Sequence, residues 1–358
     1  MSKLFDLDWT IFICMLLLCG IGGAIIGSVA PTLLLPQIVF YLFGLVLFLI
    51  FSRLDYHLYS NLAPLSYVIS IVLLLVTLLI GFETRGSVRW VSVFSFKLQF
   101  SELLKPILVA VAAAFLSTRP KTSPAVLKIL VLIAIPTLLV FKQPDLGSAL
   151  VYFVGFFAMV FASGVEFGYF LAIILSGLVI LPIGWKFLAD YQKLRFTAFL
   201  NPGFDPLGTS YNTIQSVIAI GSGMFFGRGL GRGTQSHLLF LPEHHTDFVF
   251  ASVAEEFGFV GATFILILYF ILIWKIFNLA LRSKDRMGLL LGVGLGTFLL
   301  IQVFVNIGMN LGLFPVTGIT LPLVSYGGSS ILATMIGLGI LENVAKNVKE
   351  GDKIIHIV

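Results

Sequence analysis

Five ionisable side chains lie within apolar stretches of this 358-residue chain: Glu102, Lys105, Asp145, Glu255 and Glu256. A charge at the centre of a membrane helix costs about 2.5–3.5 kcal/mol, so each must face a partner or a cavity. Glu102 and Lys105 are one helical turn apart and can pair directly, which reads as a structural ion pair that fixes helix packing. Glu255 and Glu256 fall about 12 Å inside the outer end of a predicted span over 247–277, at 1.5 Å per residue. A ligand at the membrane surface would reach them poorly, so they read as members of buried structural pairs.

Asp247 is different in kind. It follows Thr246, which can cap a helix, and precedes Phe248-Val249-Phe250, so it is predicted in the first turn of a helix at the outer interface. A carboxylate there can simply complement the helix dipole. It can also act as a general base next to an anionic leaving group, because Glu243, His244 and His245 stand directly before it and Arg228 and Arg232 lie shortly upstream.

Three other segments hold polar groups. The glycine run from Gly221 to Gly233 lacks a preceding strand and a following Gly-Lys-Ser/Thr, so it does not read as a phosphate loop. It reads as irregular backbone over a cavity, with arginines able to contact phosphate in bidentate fashion. The His244-His245 pair does not suit a metal, since adjacent histidines seldom converge on one ion. The stretch from Arg85 to Glu102, with Trp90 at headgroup level, reads as amphipathic and interfacial. Near the C-terminus, Pro315 to Gly318 and Pro322 to Ser330 form a small-residue re-entry whose Ser325 and Ser329 can serve helix packing or bind a sugar or diphosphate.

The elements that must position these residues are membrane helices. Hydrophobic residues make up 58% of the chain and charged ones 11%, with a mean hydropathy of +1.06, against roughly 25% charged in soluble domains. Apolar runs give spans near 9–29, 32–52, 62–82, 102–117, 125–141, 148–163, 167–187, 247–277, 288–309 and 325–345. The expected fold is thus an all-α integral membrane protein of about ten transmembrane helices. It forms one polytopic domain over 1–358, with a long extracytoplasmic connection at 188–246 between spans 7 and 8. The apolar run after Lys3 reads as an uncleaved anchor, because Pro31 directly follows the cleavage-like Ser28-Val29-Ala30.

An even number of spans puts both termini on one side. The short loops there carry Arg53, Arg119, Lys121, Arg282, Lys284, Arg286 and the C-terminal lysines, which marks that side as the cytoplasm. Nine cations occupy the other side, and five of them lie between Lys186 and Thr246. Cations held outside over an apolar bundle suit an anionic ligand arriving from the outer leaflet. Cys14 and Cys19 suit neither a disulfide framework nor a metal site. The rival function class is transport, as a lipid-linked precursor flippase, for which broken helices and buried charge would serve. The hydropathy pattern shows no repeated halves to support it.

The motifs occur in a distinctive order. Asp8-Trp9, Arg89-Trp90, Gln99, Ser101-Glu102-Leu103-Leu104-Lys105, Gln143-Pro144-Asp145-Leu146-Gly147-Ser148 and Asn201-Pro202 come first. They are followed by Gly229-Leu230-Gly231, Gly233-Thr234-Gln235-Ser236, Leu241-Pro242-Glu243-His244-His245-Thr246-Asp247-Phe248, Ala254-Glu255-Glu256-Phe257-Gly258 and Ser325-Tyr326-Gly327-Gly328-Ser329. Over nearly its whole length the chain resembles the SEDS (shape, elongation, division and sporulation) peptidoglycan polymerases. Within them it is more similar to the rod-shape RodA type than to the divisome FtsW type. Phe100, where a proline is usual, and Met224-Phe225, in place of part of a glycine pair, depart from the pattern.

The resemblance implies an inverting glycosyltransferase that polymerises lipid II on the outer face of the bacterial cytoplasmic membrane during cell elongation, with both termini cytoplasmic. It implies Asp247 as the catalytic carboxylate. Arg89, Lys105, Arg228 and Arg232 become candidates to stabilise diphosphate charge, with Ser325 and Ser329 as further substrate-binding candidates. A divalent cation, Mg or Mn, would suit the leaving group. The implied partners are lipid II and undecaprenyl-diphosphate-linked glycan, membrane lipids, and a class B penicillin-binding protein for crosslinking. The last follows because no Ser-x-x-Lys nucleophile occurs in the chain. Nucleic acid is not among the implied partners.

Overall fold

The computed structural model describes residues 7–84, 87–93, 96–118, 123–166, 168, 169, 171, 175, 186, 188–201, 203 and 205–355. The expected span over 167–187 falls almost wholly outside them, as do Lys3, Arg85, Arg119, Lys121 and Pro202.

The membrane-type helices are α1 (Trp9–Val29), α2 (Leu34–Phe51), α3 (Leu58–Ile80), α5 (Lys105–Ser117), α6 (Ser123–Lys142), α7 (Leu146–Ala162), α11 (Val249–Leu281), α12 (Arg286–Asn310) and α13 (Gly328–Ile355). Among the described residues six of these are both long and apolar enough to cross a membrane, while α5 and α7 are shorter apolar helices. Short helices fill the connections: α4 (Phe100–Leu103), α8 (Asp190–Leu200), α9 (Tyr211–Ser222) and α10 (Thr234–His237). Carboxylates start three of the membrane-type helices, with Asp8, Asp145 and Asp285 accepting from the backbone N–H of Thr10, Ser148 and Gly288 at 3.1, 3.1 and 2.7 Å. Each satisfies a donor that the first turn leaves open.

The fold is not wholly helical. Where the sequence suggests an interfacial amphipathic stretch, strands β1 (Phe82–Thr84), β2 (Ser87–Val93) and β3 (Phe96–Leu98) form an antiparallel meander, with Val91 opposite Leu98. The β-branched residues of Ser-Val-Arg-Trp-Val-Ser-Val, and its near-alternation of polar and apolar types, fit a pleated strand better than a helix face.

The bundle has two distinct ends. At one, Asp8 Oδ2 lies 2.8 Å from Lys275 Nζ, the Asp8 backbone N–H donates to Glu342 Oε2 at 2.8 Å, and Tyr56 OH donates to Asp285 Oδ2 at 2.8 Å. The start of α1, the last turns of α11 and the far part of α13 therefore share an end. The sheet, Asp145, Asp247 and the irregular strap over 311–327 gather at the other.

The predicted span over 247–277 is broken. Gly258 has φ +67° and ψ −163°, so Val249–Leu281 comprises two helical segments. Contacts between Gly292 and Ala280, and between Gly296 and Ile276, fix the antiparallel register of α11 and α12. A straight helix in that register would put Ala262 beside Asn310 and carry Ala251 about 16 Å beyond it. Instead the Ala251 N–H donates to Asn310 Oδ1 at 3.1 Å. The chain thus folds back at Gly258, which returns Asp247 to the level of the last turns of α12. Glu255 and Glu256 sit next to the break and are not two turns deeper than Asp247, as a straight span would have them.

The glycine run makes the break possible. Phe259 and Val260 N–H donate to Met224 and Phe225 carbonyls at 2.9 and 3.2 Å, and Arg228 and Gly229 N–H donate to Glu255 and Glu256 carbonyls, each at 3.0 Å. The groups freed from the helix ladder are thereby satisfied, as buried backbone must be. A methyl added at Gly227 would come within 2.1 Å of the Glu256 carbonyl oxygen, so only glycine admits this approach.

Candidate active site

Asp247 does not occupy a helical first turn. The helix begins at Val249 after an N-cap at Phe248, and Thr246 spends its hydroxyl on Glu243 Oε2 at 2.9 Å instead of capping. Asp247 therefore ends a turn and is held by its backbone. Its carbonyl accepts from Asn306 Nδ2 and Asn310 Nδ2, each at 3.0 Å. Both asparagines are fully buried and one turn apart on α12, so they present their amides on one face.

The strap forms the other wall. Its backbone bonds to five surrounding groups: Ile319 carbonyl to Asn306 Nδ2 at 2.7 Å, Leu323 carbonyl to Tyr41 OH at 2.7 Å, Ser325 carbonyl to Gln37 Nε2 at 3.2 Å, Pro322 carbonyl to Tyr269 OH, and Tyr326 N–H to the His245 carbonyl at 2.8 Å. Gly318 lies in the left-handed region at φ +75°. A methyl placed there would sit 3.5 Å from Asp247 Oδ2 and 3.6 Å from Arg89 Nη1. The carboxylate and the guanidinium thus converge on the open side of Gly318, within about 7 Å of each other.

Arg89 is positioned from the sheet by Asp145, whose Oδ1 lies 3.5 Å from Arg89 Nη1. Asp145 is itself buried and accepts from Gln99 Nε2 at 2.9 Å and Ser101 Oγ at 3.4 Å. A polar track runs inward from there. Ser148 Oγ donates to Glu102 Oε1 at 3.3 Å, Lys105 Nζ lies 2.6 Å from the same oxygen, and Gln302 Nε2 donates to Glu102 Oε2 at 3.3 Å. Glu102, Lys105 and Gln302 border a partly open pocket of about 40 Å³, otherwise walled largely by Ile276, Leu295, Phe298 and Leu299.

The remaining sequence candidates fall elsewhere. Arg228 and Arg232 are exposed and lie at the Gly258 break; Arg228 Nε donates to the Ser222 carbonyl at 3.2 Å. The whole short helical segment from Val249, about two turns, separates them from Asp247. Glu255 is held by the Gln235 and Ser236 N–H groups at 2.7 and 3.1 Å and by Ser236 Oγ at 2.8 Å. Among the described residues it makes no ion pair. Glu256 Oε1 accepts from Ser28 Oγ at 2.6 Å and Gly231 N–H at 3.2 Å and lies 3.0 Å from His237 Nε2. These two carboxylates fasten the glycine run to α1 and α11. Ser325 Oγ donates to the Thr246 carbonyl and accepts from Leu321 N–H, and Ser329 Oγ accepts from Gln99 N–H at 2.9 Å. Both hydroxyls are buried and engaged with backbone.

Sequence reasoning did not select Asn306 and Asn310, because an asparagine in an apolar run reads as helix packing. It also passed over Gln99 and Asp145 as positioning groups for Arg89. Their placement depends on how the sheet, packed on α3 and α4, meets the Asp145 cap of α7.

The family described as "Cell cycle protein", FtsW/RodA/SpoVE, matches residues 11–350. The chain belongs to the SEDS family. It is 40% identical over 306 residues to the peptidoglycan glycosyltransferase MrdB of Escherichia coli, covering 84% of this chain and 82% of that one. It is 37% identical over 316 residues to stage V sporulation protein E of Bacillus subtilis, covering 87% and 86%. The crystal structure of the rod shape determining protein RodA of Thermus thermophilus superposes with a TM-score of 0.74 at 32% identity, covering 97% of this chain and 99% of that one. A chain from a peptidoglycan synthase complex that coordinates polymerization and crosslinking superposes with a TM-score of 0.81 at 33% identity, over 96% and 99%. This SEDS chain is a multi-pass membrane protein; of the motifs that carry the family resemblance, those holding Arg89, Asp145, Thr246-Asp247 and Ser325 meet at the Asp247 site, whereas Asp8 lies at the opposite end of the bundle and Glu255-Glu256 at the Gly258 break.

Proposed function

We propose that this chain is a peptidoglycan glycosyltransferase of the RodA type, which polymerises lipid II on the outer face of the cytoplasmic membrane during cell elongation. The observation that carries the reading is the convergence of one carboxylate, Asp247, and one guanidinium, Arg89, on Gly318. In this reading Asp247 is the general base. It takes the proton from the attacking sugar hydroxyl as that oxygen bonds to the anomeric carbon of the second sugar, and the lipid diphosphate leaves with the electron pair of the broken C–O bond. One displacement inverts α to β. A diphosphate leaves without strong acid assistance, so one base plus cations suffices, unlike the two carboxylates of glycoside hydrolysis.

Among the described residues no three His, Cys, Asp or Glu side chains gather as a metal cage. Magnesium usually takes only one or two protein carboxylates, and Asp247 is the residue that would hold a magnesium or manganese ion here. Such an ion would supply charge neutralisation to the leaving group.

The full topology in this reading is ten spans, with both termini cytoplasmic and Asp247 extracytoplasmic. The single domain over 1–358 has its long outer connection at 188–246. The partner is a class B penicillin-binding protein, which supplies the crosslinking that this chain has no nucleophile motif to perform.

Purified chain and lipid II in detergent test the reading, since detergent leaves no two sides to transport between. Linear, uncrosslinked glycan is expected, with crosslinks only when the penicillin-binding partner is added. No polymer, with or without the partner, would refute the enzyme and leave the flippase class.

A further inference from the structure

The outer connection reaches the site through α8. Tyr191, in its first turn, donates its hydroxyl to the Pro144 carbonyl at 2.6 Å, next to the Asp145 that positions Arg89. One turn on, Arg195 Nη1 donates to the Val316 carbonyl at 3.0 Å, two residues before Gly318. The Arg195 guanidinium carbon lies 5.5 Å from the Tyr191 ring centroid. Burial raises the Tyr191 phenol above its ordinary pKa of 10.0, while the positive charges of Arg89 and Arg195 both pull it down. The charges of both guanidiniums therefore reach one ring.

A cavity of about 30 Å³, room for about one water, opens beside Arg195 and is lined by Ser210, Thr213, Pro315 and Val316. Ser210 is buried, and its hydroxyl has no hydrogen-bond partner among the described residues.

We propose that Arg195 and Arg89 form a two-guanidinium cradle for the diphosphate of the polyprenyl-linked sugar, with Arg195 delivered by α8 across the strap from Asp247. The inference rests on the glycosyltransferase reading for the identity of the ligand, and on the geometry for the site. Two planar forks suit a diphosphate better than point charges do, because each can take two phosphate oxygens in parallel. Arg228 and Arg232, at the Gly258 break, have no part in this cradle.

The test is direct binding of undecaprenyl diphosphate, with undecaprenyl monophosphate and inorganic pyrophosphate as separate arms, to purified protein in detergent. Lipid II kinetics are measured in parallel. Arg195→Gln is expected to weaken diphosphate binding at least tenfold and raise KM for lipid II by about tenfold, with kcat within about threefold. Arg195→Lys should keep the bond to Val316 and the melting temperature, yet weaken diphosphate binding severalfold. The lipid monophosphate should bind weakly to all forms; pyrophosphate should bind in an Arg195-dependent way if the headgroup alone is read. Lys193→Gln removes a charge that pairs with Asp190 on the same helix and should bind as wild type. Wild-type diphosphate binding by either Arg195 variant would overturn the cradle. So would an equal loss in Tyr191→Phe, which loosens α8 but leaves both cations. Arg195-dependent binding without any polymerisation would leave the cradle standing and remove the enzyme reading.

Discussion

Ser325 Oγ donates to the Thr246 carbonyl oxygen at 2.6 Å, and this bond ties the strap to the residue immediately before Asp247. With the asparagine amides on the Asp247 carbonyl itself, it fixes the backbone on both sides of the carboxylate. The side chain is therefore aimed by its neighbours and not by a helix of its own. Such a site loses function through small displacements, since misplacement by about 1 Å can cost about 10²-fold in rate.

Asp247→Asn should abolish polymerisation, a loss of about 10²–10⁴-fold, while the melting temperature stays within a degree or two of wild type. The change keeps side-chain size and removes the base. Glycan length on gels, read beside a thermal melt, checks it; near-wild-type turnover would exclude Asp247 as the base.

Asn310→Leu should lower kcat by one to two orders of magnitude with little change in lipid II KM, because it removes one of the two amides that hold the Asp247 carbonyl without touching ligand. It also leaves the Ala251 N–H and one bond of the carbonyl unmade, worth about 1–3 kcal/mol of stability. Kinetics at a temperature well below the melt separate the two effects. An unchanged kcat would show that the amide clip is dispensable.

Glu256→Gln should act on stability first. The buried carboxylate oxygen that gathers Ser28, Gly231 and His237 is replaced by a neutral amide, costing about 1–3 kcal/mol. A lower melting temperature with residual turnover in the cold is expected. Full stability with no turnover would move the chemistry from Asp247 to the Gly258 break.

At the opposite end of the bundle His57 has Nδ1 2.7 Å from Asp55 and Nε2 2.7 Å from Asp285. Burial alone would lower its pKa, but the two carboxylates outweigh that and raise it above its ordinary 6.5. A raised histidine contributes stability that is complete below about pH 6.5 and is lost as pH rises through the folded value. His57→Asn should therefore lower the melting temperature at pH 5.5 more than at pH 8.5, by a small margin because the ring is half exposed. An equal effect at both pH values would contradict the charged contact.

Sidedness is separately testable by labelling. Cysteines at Leu230 and Lys284, both exposed, should differ in intact spheroplasts, the first reacting with an impermeant thiol reagent and the second not. The reverse pattern would put Asp247 on the cytoplasmic side.

The sequence by itself determined the membrane class, the positions of most long helices and the family, because apolar length and motif order are local properties. It also singled out Asp247 and Arg89, whose types are chemically distinctive wherever they lie. The tertiary structure decided which cations accompany Asp247. Proximity in sequence favoured Arg228 and Arg232, but the fold-back at Gly258 carries them to the far end of a short helical segment. The 82–98 meander and the Asp145 contact bring Arg89 from more than 150 residues upstream in their place. Span depth failed for the same reason at Glu255 and Glu256. Counting residues at 1.5 Å each assumes a straight helix, and only the left-handed conformation of Gly258, satisfied by distant backbone at Met224 to Gly229, shows that this one turns back. Long-range hydrogen bonds of that kind leave no period in the sequence, so folding alone fixes them.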